Sequence, residues 1–227
     1  MGLPLYLAQT RAEFTACSLL PNHFAWMACH FSPYGTGLCG LPPVLPADAM
    51  VILNDRIPPN RHDVAYILDQ LAQINCGCFL LDFQQEGNAE IEALTRAILE
   101  AESRPVGVSP QYGQGLDCPV FLPPVPPDVP ASEYLVPWQG REIWLEAAID
   151  SLQYTVTEHG SICNPLPQIP ERGLKDDDLF CHYRIETYTD RAEFDLWRTR
   201  KDLEALLDAV QGFGVTKAIG LWQELGA

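Results

Sequence analysis

The sequence predicts an α/β protein with a single compact domain: a (β/α)8 TIM-like barrel in which some outer helices are missing or replaced by loops. Eight short apolar runs recur along the chain, and helical patterns lie between several of them, which is typical of parallel βα units. The runs are almost continuously apolar, as expected for strands covered on both faces. With 227 residues the chain suits one core, although such barrels more often have about 250 residues.

The eight runs and the helices between them can be assigned in chain order. The predicted strands are HFAWMACHF (23–31), MVILND (50–55), CFLLDF (78–83), PVGVS (105–109), PVFLP (119–123), EIWLEA (142–147), LFCHYRIE (179–186) and TKAIGLWQEL (216–225). Amphipathic patterns predict helices over residues 63–74, 89–101 and 198–213. An open doubly wound sheet is the alternative fold, and the lack of a regular helix after the fourth and fifth runs argues against it.

Two segments are expected to be irregular. Residues 107–141 are too short and too rich in proline for regular helices, and VFLPPVPPDVP (120–130) reads as an extended loop. Residues 152–178 are predicted to form a long loop insertion within a domain that spans residues 1–227. The beginning of that insertion, QYTVTEHG, alternates like a half-buried strand, so we expect it to form a hairpin with a neighbour.

The charge of the chain limits its partners. Fourteen basic and thirty acidic residues give a net charge of −16, which repels phosphate backbones and anionic membranes. No apolar run is long enough to span a bilayer, and the N-terminus lacks the pattern of a signal peptide. We therefore expect a cytoplasmic protein that binds a small molecule or an oligosaccharide, with no nucleic-acid or membrane partner. The sequence leaves the oligomeric state open.

Cofactor and metal motifs are weak. GTGLCG (35–40) fits a G-x-G-x-x-G pattern, but LPPVLP follows it and cannot begin the helix that a dinucleotide site requires. The eight cysteines include no C-x-x-C pair, so reduced, structural cysteines are expected. No H-x-H pair ends the first run, and no cofactor or metal is predicted.

Candidate site residues lie where the predicted strands end, because the chemistry of such a barrel occurs at the C-terminal ends of its strands. The predicted catalytic carboxylates are Asp82, Glu146 and Glu186. The predicted substrate-binding residues are His30, Asn54, Asp55, Arg56, Gln84, Tyr112, Tyr183, Trp222 and Glu224.

Carboxylates and aromatic rings at one rim suit a sugar. Carboxylates accept hydrogen bonds from hydroxyl groups, and flat aromatic faces stack on pyranose rings. Two carboxyl groups about 5–5.5 Å apart could run retaining hydrolysis, and about 6.5–9.5 Å apart inverting hydrolysis. The alternative is that these polar residues pair internally, for example Arg184 with Glu186 or with Asp82.

One segment also resembles a known family. CGCFLLDFQQ (76–85) resembles the fourth-strand signature D-x-x-D-x-D-x-E of family 18 glycoside hydrolases, the chitinase-like barrels, although it is the third run here. Trp222 resembles the tryptophan on their last strand, which forms the floor of the sugar site. The resemblance implies that Asp82 assists the acetamido group of the substrate. It places Leu80 at the middle aspartate and Gln84 at the general acid, and a glutamine amide cannot donate that proton.

Three functions follow from these patterns. The first is a glycoside hydrolase-like barrel that binds a carbohydrate at the strand C-termini and hydrolyses it with paired carboxylates. The second is a non-catalytic carbohydrate-binding protein or pseudoenzyme on the same barrel, for which Gln84 is the main argument. The third is a metal-dependent lyase or isomerase that uses His30, Asp82, Glu146 and His182.

Overall fold

The structure is a computed structural model that describes residues 2–17, 20–57 and 63–226. Its strands are β1 (Leu5–Gln9), β2 (Phe24–Phe31), β3 (Leu38–Cys39), β4 (Met50–Asn54), β5 (Cys78–Asp82), β6 (Val106–Val108), β7 (Val120–Leu122), β8 (Ile143–Ala147), β9 (Ser151–Thr157), β10 (Gly160–Pro165), β11 (Leu174–Asp176), β12 (Cys181–Thr187), β13 (Arg191–Trp197) and β14 (Val215–Leu221). Its α-helices are α1 (Arg11–Ala16), α2 (Val64–Ala72), α3 (Ala89–Ala101), α4 (Pro110–Gly113), α5 (Ala131–Leu135), α6 (Arg200–Val210) and α7 (Trp222–Leu225).

The contacts within the chain divide it into two compact units. The barrel unit consists of Pro4–Pro123, Gly140–Glu146 and the chain from Val215 onwards. The second unit consists of Pro124–Gln139 and Ala147–Gly214, together with the first residues of the chain up to Leu3. We describe the two units separately.

The predicted (β/α)8 TIM-like barrel is confirmed. Eight parallel strands follow the order β1-β14-β8-β7-β6-β5-β4-β2, and β1 also pairs with β2, so the sheet is closed. The short strand β3 pairs antiparallel with β2 outside this ring. The sequence prediction missed β1, the segment LYLAQ near the N-terminus. With β1 counted, the segment that ends at Asp82 is the fourth strand of the barrel and not the third.

Successive side chains along the barrel strands point alternately inward and outward, and they form two apolar layers. Inward side chains such as Tyr6, Met50, Cys78 and Trp144 fill the interior of the barrel. Trp144 fits because its ring lies against β6 at Gly107, where an added Cβ would come within 2.2 Å of the ring. Packing in this interior therefore depends on the absence of a side chain at Gly107 as well as on large side chains such as Trp144.

Outward side chains of the same strands pack against the helices. The buried residues Ile67 and Leu71 of α2, and Leu94 and Ile98 of α3, belong to one apolar cluster with outward strand residues such as Phe79. Asp63 caps the N-terminus of helix α2, and its side chain accepts a hydrogen bond from the backbone N–H of Tyr66 at 3.2 Å. The predicted boundaries of both helices follow from such caps and from their 3.6-residue periodicity.

The expected loss of regular outer helices is also present. Within residues 107–141, where the loss was predicted, α4 has only four residues and α5 only five. The segment between β2 and β4 also lacks a helix and contains the strand β3. Prolines break this part of the sequence repeatedly, and proline cannot supply the N–H groups that a helix interior needs. Among the described residues no helix is long and apolar enough to cross a membrane.

The second unit contains an antiparallel sheet where the sequence predicted a loop and a barrel strand. Its order is β10-β9-β13-β12-β11, with β9 and β10 forming the expected hairpin. The prediction that the rest of residues 152–178 is a loop is wrong, since β10 and β11 lie there. The prediction that LFCHYRIE is the seventh barrel strand is also wrong. Its polar and apolar residues alternate, which suits an antiparallel sheet with two different faces rather than a doubly covered parallel strand.

This correction changes the position of four residues that were expected near the barrel rim: His182, Tyr183, Arg184 and Glu186 lie on β12 of the antiparallel sheet. The Arg184 guanidinium contacts the buried Asp195 carboxylate at 2.6 Å and the Glu186 carboxylate at 3.3 Å. Arg184 therefore pairs with Glu186, as the alternative expected, but this pair is exposed and lies on a strand of the antiparallel sheet, not on a barrel strand. The imidazole Nδ1 of His182 lies 3.0 Å from the Asp202 carboxylate.

Candidate functional site

A cavity of about 960 Å³ opens at the C-terminal ends of the barrel strands. It is lined by residues that end strands β2, β4, β5, β8 and β14 or directly follow β1, β4, β5 and β7. The predicted site residues found in its lining are His30, Asn54, Asp55, Arg56, Asp82, Gln84 and Glu146. The structure thus brings together the residues predicted on the second, third, fourth and seventh strands of the barrel.

Three other predicted residues of the barrel unit are not among the described residues that line the cavity. Tyr112 is buried in the outer apolar layer, where its hydroxyl donates to the carbonyl of Gln85. Strand β14 ends at Leu221, which lines the cavity. Trp222 is the next residue, and it begins helix α7 and does not line the cavity. The Trp222 ring packs against Gly226, and Glu224 lies on the same short helix. The expectation that Trp222 forms the floor of the cavity is therefore wrong.

Asp82 and Gln84 share the inward face of the fourth strand and the residues after it. The side-chain amide of Gln84 donates a hydrogen bond to the Asp82 carboxylate. Burial raises the pKa of Asp82 above its usual value, and the nearby Asp55 carboxylate adds to this, while the hydrogen bond from Gln84 opposes it. A carboxyl group whose pKa is raised keeps its proton to higher pH, as a general acid requires.

The raised pKa of Asp82 predicts a pH-dependent stability. An aspartate with a higher pKa in the folded state destabilises the fold once it ionises. This penalty is absent below the pKa of the unfolded chain, about 3.9, and complete above the pKa of the folded state. We therefore expect Asp82→Asn to be more stable than the wild type at pH 7, with an advantage that shrinks as the pH falls through that interval. Urea denaturation at several pH values measures the difference.

Asp69→Asn is the matched control, because it removes one negative charge from an exposed position on α2. A stabilisation by Asp82→Asn that stays constant from pH 7 to pH 3 would contradict burial as its cause. The substitution keeps an oxygen that can accept the Gln84 amide, so it changes charge with little change of shape.

Asp55 holds the segment that follows the fourth strand. Its carboxylate is only 2% exposed and accepts hydrogen bonds from the backbone N–H groups of Gln84 at 2.9 Å and Gln85 at 2.8 Å. The side chain of Gln85 donates back to the Asp55 carbonyl at 2.6 Å. The Asp55 side chain was predicted to bind substrate, and in the structure its two oxygens instead position the backbone that carries Gln84.

Asn54 and His30 are tied to the irregular end of the second barrel strand. The pairing of β2 with β4 shifts register between Trp26 and Cys29, and the Asn54 amide donates to the Cys29 carbonyl at 3.1 Å. The Nδ1 atom of His30 lies 2.8 Å from the Phe31 carbonyl. Because a carbonyl only accepts, the Nδ1 atom of His30 carries a hydrogen and donates it to Phe31.

The sequence reasoning missed the apolar part of the lining and one polar residue. Thr10 lines the cavity after β1 and caps α1, where its hydroxyl donates to the Glu13 carboxylate at 2.8 Å. Met27, Phe121 and Ile219 also line it. For Phe121 and Ile219 the signal that could have found them is the two-residue period, which places them on the same face as Pro123 and Leu221 at the strand ends.

The described residues offer no metal centre and no disulfide. No group of three or more His, Cys, Asp or Glu side chains in the described ranges is arranged to hold a metal ion. All eight cysteines lie within those ranges, and none of them forms a disulfide.

The fold resembles several solved enzyme structures. The chain superposes on the spore cortex-lytic enzyme SleL from Bacillus megaterium QM B1551 with a TM-score of 0.57 and 11% identity, covering 99% of this chain and 71% of that one. For SleL from Bacillus cereus the values are 0.55 and 11%, over 96% and 70% of the two chains. For a chitinase from Chromobacterium violaceum ATCC 12472 they are 0.54 and 11%, over 96% and 93%.

Sequence comparison adds nothing to this likeness, since no protein-family model and no curated protein sequence matches the chain. An identity of 11% supports a statement about the fold alone. The chain therefore shares the barrel fold of the cortex-lytic enzymes and the chitinase.

Proposed function

We propose that the barrel binds a carbohydrate in the cavity at its strand C-termini and hydrolyses a glycosidic bond there. The observation that carries this proposal is the cavity itself, in which the half-buried carboxyl groups of Asp82 and Glu146 occur together. Ligands of (β/α)8 barrels bind at this end of the strands. The similar structures with this fold are named as cortex-lytic enzymes and a chitinase, which supports a sugar polymer as the ligand.

The two carboxyl groups have different roles in this proposal. Asp82 acts as the general acid, because it lines the cavity and burial raises its pKa, which favours the protonated form that the leaving oxygen needs. Glu146 acts as the base or nucleophile on the other side of the bond. Arg56 and the Nε2 atom of His30 hold hydroxyl groups of the sugar.

A second candidate is carbohydrate binding without hydrolysis, and Gln84 favours it. CGCFLLDFQQ lies on the fourth strand, as in the family 18 glycoside hydrolases that it resembles, and this strand number supports the alignment with their signature. In that alignment Gln84 occupies the position of the general acid. Its amide has no acidic proton and already donates to Asp82.

Binding and turnover of oligosaccharides test both candidates. We expect wild-type protein to bind oligosaccharides from a panel of chitin- and cellulose-derived chains, measured by calorimetry, and to release shorter products. Asp82→Asn and Glu146→Gln are each expected to lower the hydrolysis rate by roughly 100-fold or more, because each removes a proton-transfer or nucleophilic group. Both variants should still bind the oligosaccharide.

Glu100→Gln is the matched control, since it removes an exposed carboxylate from α3. It should leave both binding and hydrolysis unchanged. Binding without products, unaffected by either active-site substitution, would favour the second candidate. Absence of binding to every member of the panel would reject both.

A further inference from the structure

The cavity in the barrel has an apolar floor, and its polar side chains lie above that floor at the rim. The floor consists of Ala8, Ile52, Leu80, Phe121 and Ile219, which come from five different strands and are each at most 7% exposed. Each floor residue precedes a lining residue at the rim by two positions. Since side chains two apart on a strand point the same way and the rise is about 3.3 Å per residue, the floor lies roughly 7 Å below the rim.

The floor offers no hydrogen-bonding side chain. The polar lining residues, among them Asn54, Asp82 and Glu146, belong to the rim. Backbone groups beside floor residues such as Leu80 pair with neighbouring strands, because β5 is in register with both β4 and β6. A sugar hydroxyl pushed down to this level would lose its bonds to water and gain none in return, which weakens binding.

The position of Leu80 makes the floor apolar where the resemblance to family 18 enzymes implies a carboxylate. Its side chain is 1% exposed and points inward directly below Asp82. The volume of about 960 Å³ is at the upper end of the range for pockets that hold drug-sized ligands, roughly 300–1,000 Å³. The whole cavity therefore has room for a sugar ring and a further group, and each floor residue presents at most 7% of its surface to that group.

We infer that the ligand is amphiphilic: a sugar head binds at the rim, and an attached alkyl, aryl or acyl group fills the floor. The sugar head is inferred from the proposed function, whereas the apolar group is inferred from the five floor residues. Apolar contact is the only interaction the floor side chains offer, and burying a hydrocarbon there releases water from both surfaces. The substrate class is thus a glycoside or acylated sugar with a hydrophobic substituent of several carbons.

Binding of alkyl glycosides of increasing chain length tests the inference. The probes are methyl, butyl, hexyl and octyl β-D-glucoside and the same four N-acetyl-β-D-glucosaminides, with glucose, butanol and hexanol as fragments, all below micellar concentrations. For one of the two series we expect the Kd to fall about fourfold per added methylene until the floor is filled, which corresponds to the ~0.8 kcal/mol of a buried CH2 group. The fragments should bind much more weakly than the joined compounds.

Two substitutions at one position provide the matched comparison. Leu80→Asn places an amide on the floor and should lower the ratio of octyl to methyl affinity at least tenfold. Leu80→Met keeps an apolar side chain of similar size and should preserve that ratio. If Leu80→Asn does not fold, the chain-length series on the wild type and Leu80→Met still decides the question.

The outcomes separate this inference from the proposed function. Equal affinity for methyl and octyl glycosides would overturn the amphiphilic ligand and leave carbohydrate binding standing. Alcohols that bind as tightly as the matching glycosides would overturn the sugar head, and with it both proposals. Absence of binding by all probes and by the oligosaccharide panel would likewise reject both.

Discussion

Under the second candidate, in which Gln84 occupies the position of the general acid and Asp82 does not serve as that acid, replacing Gln84 with glutamate is expected to raise the rate of oligosaccharide hydrolysis by about 100-fold or more. A positioned general acid contributes about 10²–10⁴-fold to such reactions. The Gln84 amide donates to the Asp82 carboxylate, so a glutamate there would place two carboxyl groups within hydrogen-bonding distance. Two carboxylates this close cannot both ionise easily, and the pair would retain one proton near neutral pH. Release of reducing ends from oligosaccharides that bind the protein measures the gain.

Gln114→Glu makes the same chemical change at an exposed position of the barrel unit and should leave the rate unchanged. Adding Asp82→Asn to the Gln84→Glu variant should remove most of the gain, because the neighbour that raises the pKa of the new acid is lost. An unchanged rate in a folded Gln84→Glu variant that still binds oligosaccharide would mean that the alignment with family 18 enzymes does not describe this strand.

The barrel was predictable because its strands leave a strong local signal. MVILND and CFLLDF are short, almost entirely apolar and followed by amphipathic helices, and doubly covered parallel strands require this composition. The strand LYLAQ was missed because it lies at the N-terminus, before any repeat is established. LFCHYRIE was misassigned since its length and apolar content match a strand, while its alternation indicates the other kind of sheet.

The candidate site was partly predictable for a similar reason. Strand ends in a closed barrel converge, so the positions of His30, Asp82 and Glu146 in the sequence were enough to expect them around one cavity. Their hydrogen bonds were not predictable, because these depend on contacts between strands that are far apart in sequence. Asp55, for example, binds backbone groups of residues about thirty positions later in the chain.

Removing the Asp55 carboxylate should therefore have the largest effect on stability of any change near the cavity. Asp55→Ala leaves the backbone N–H groups of Gln84 and Gln85 without their acceptors in a buried position. Hydrogen bonds to a charged group contribute about 1.5–3 kcal/mol each, so we expect the free energy of unfolding to fall by about 3 kcal/mol or more. Urea denaturation at pH 7 measures this loss.

Asp55→Asn should cost less than Asp55→Ala, because one oxygen remains to accept from one of the two N–H groups while the new amide faces the other. Asp117→Ala, at an exposed position of the barrel unit, controls for the loss of a carboxylate. Asp55→Ala should also weaken oligosaccharide binding under conditions where the variant is folded, because the segment with Gln84 loses its anchor beside Asp82. Equal stability of Asp55→Ala and Asp117→Ala would show that the two backbone hydrogen bonds do not hold this segment, and that Asp55 serves the ligand directly.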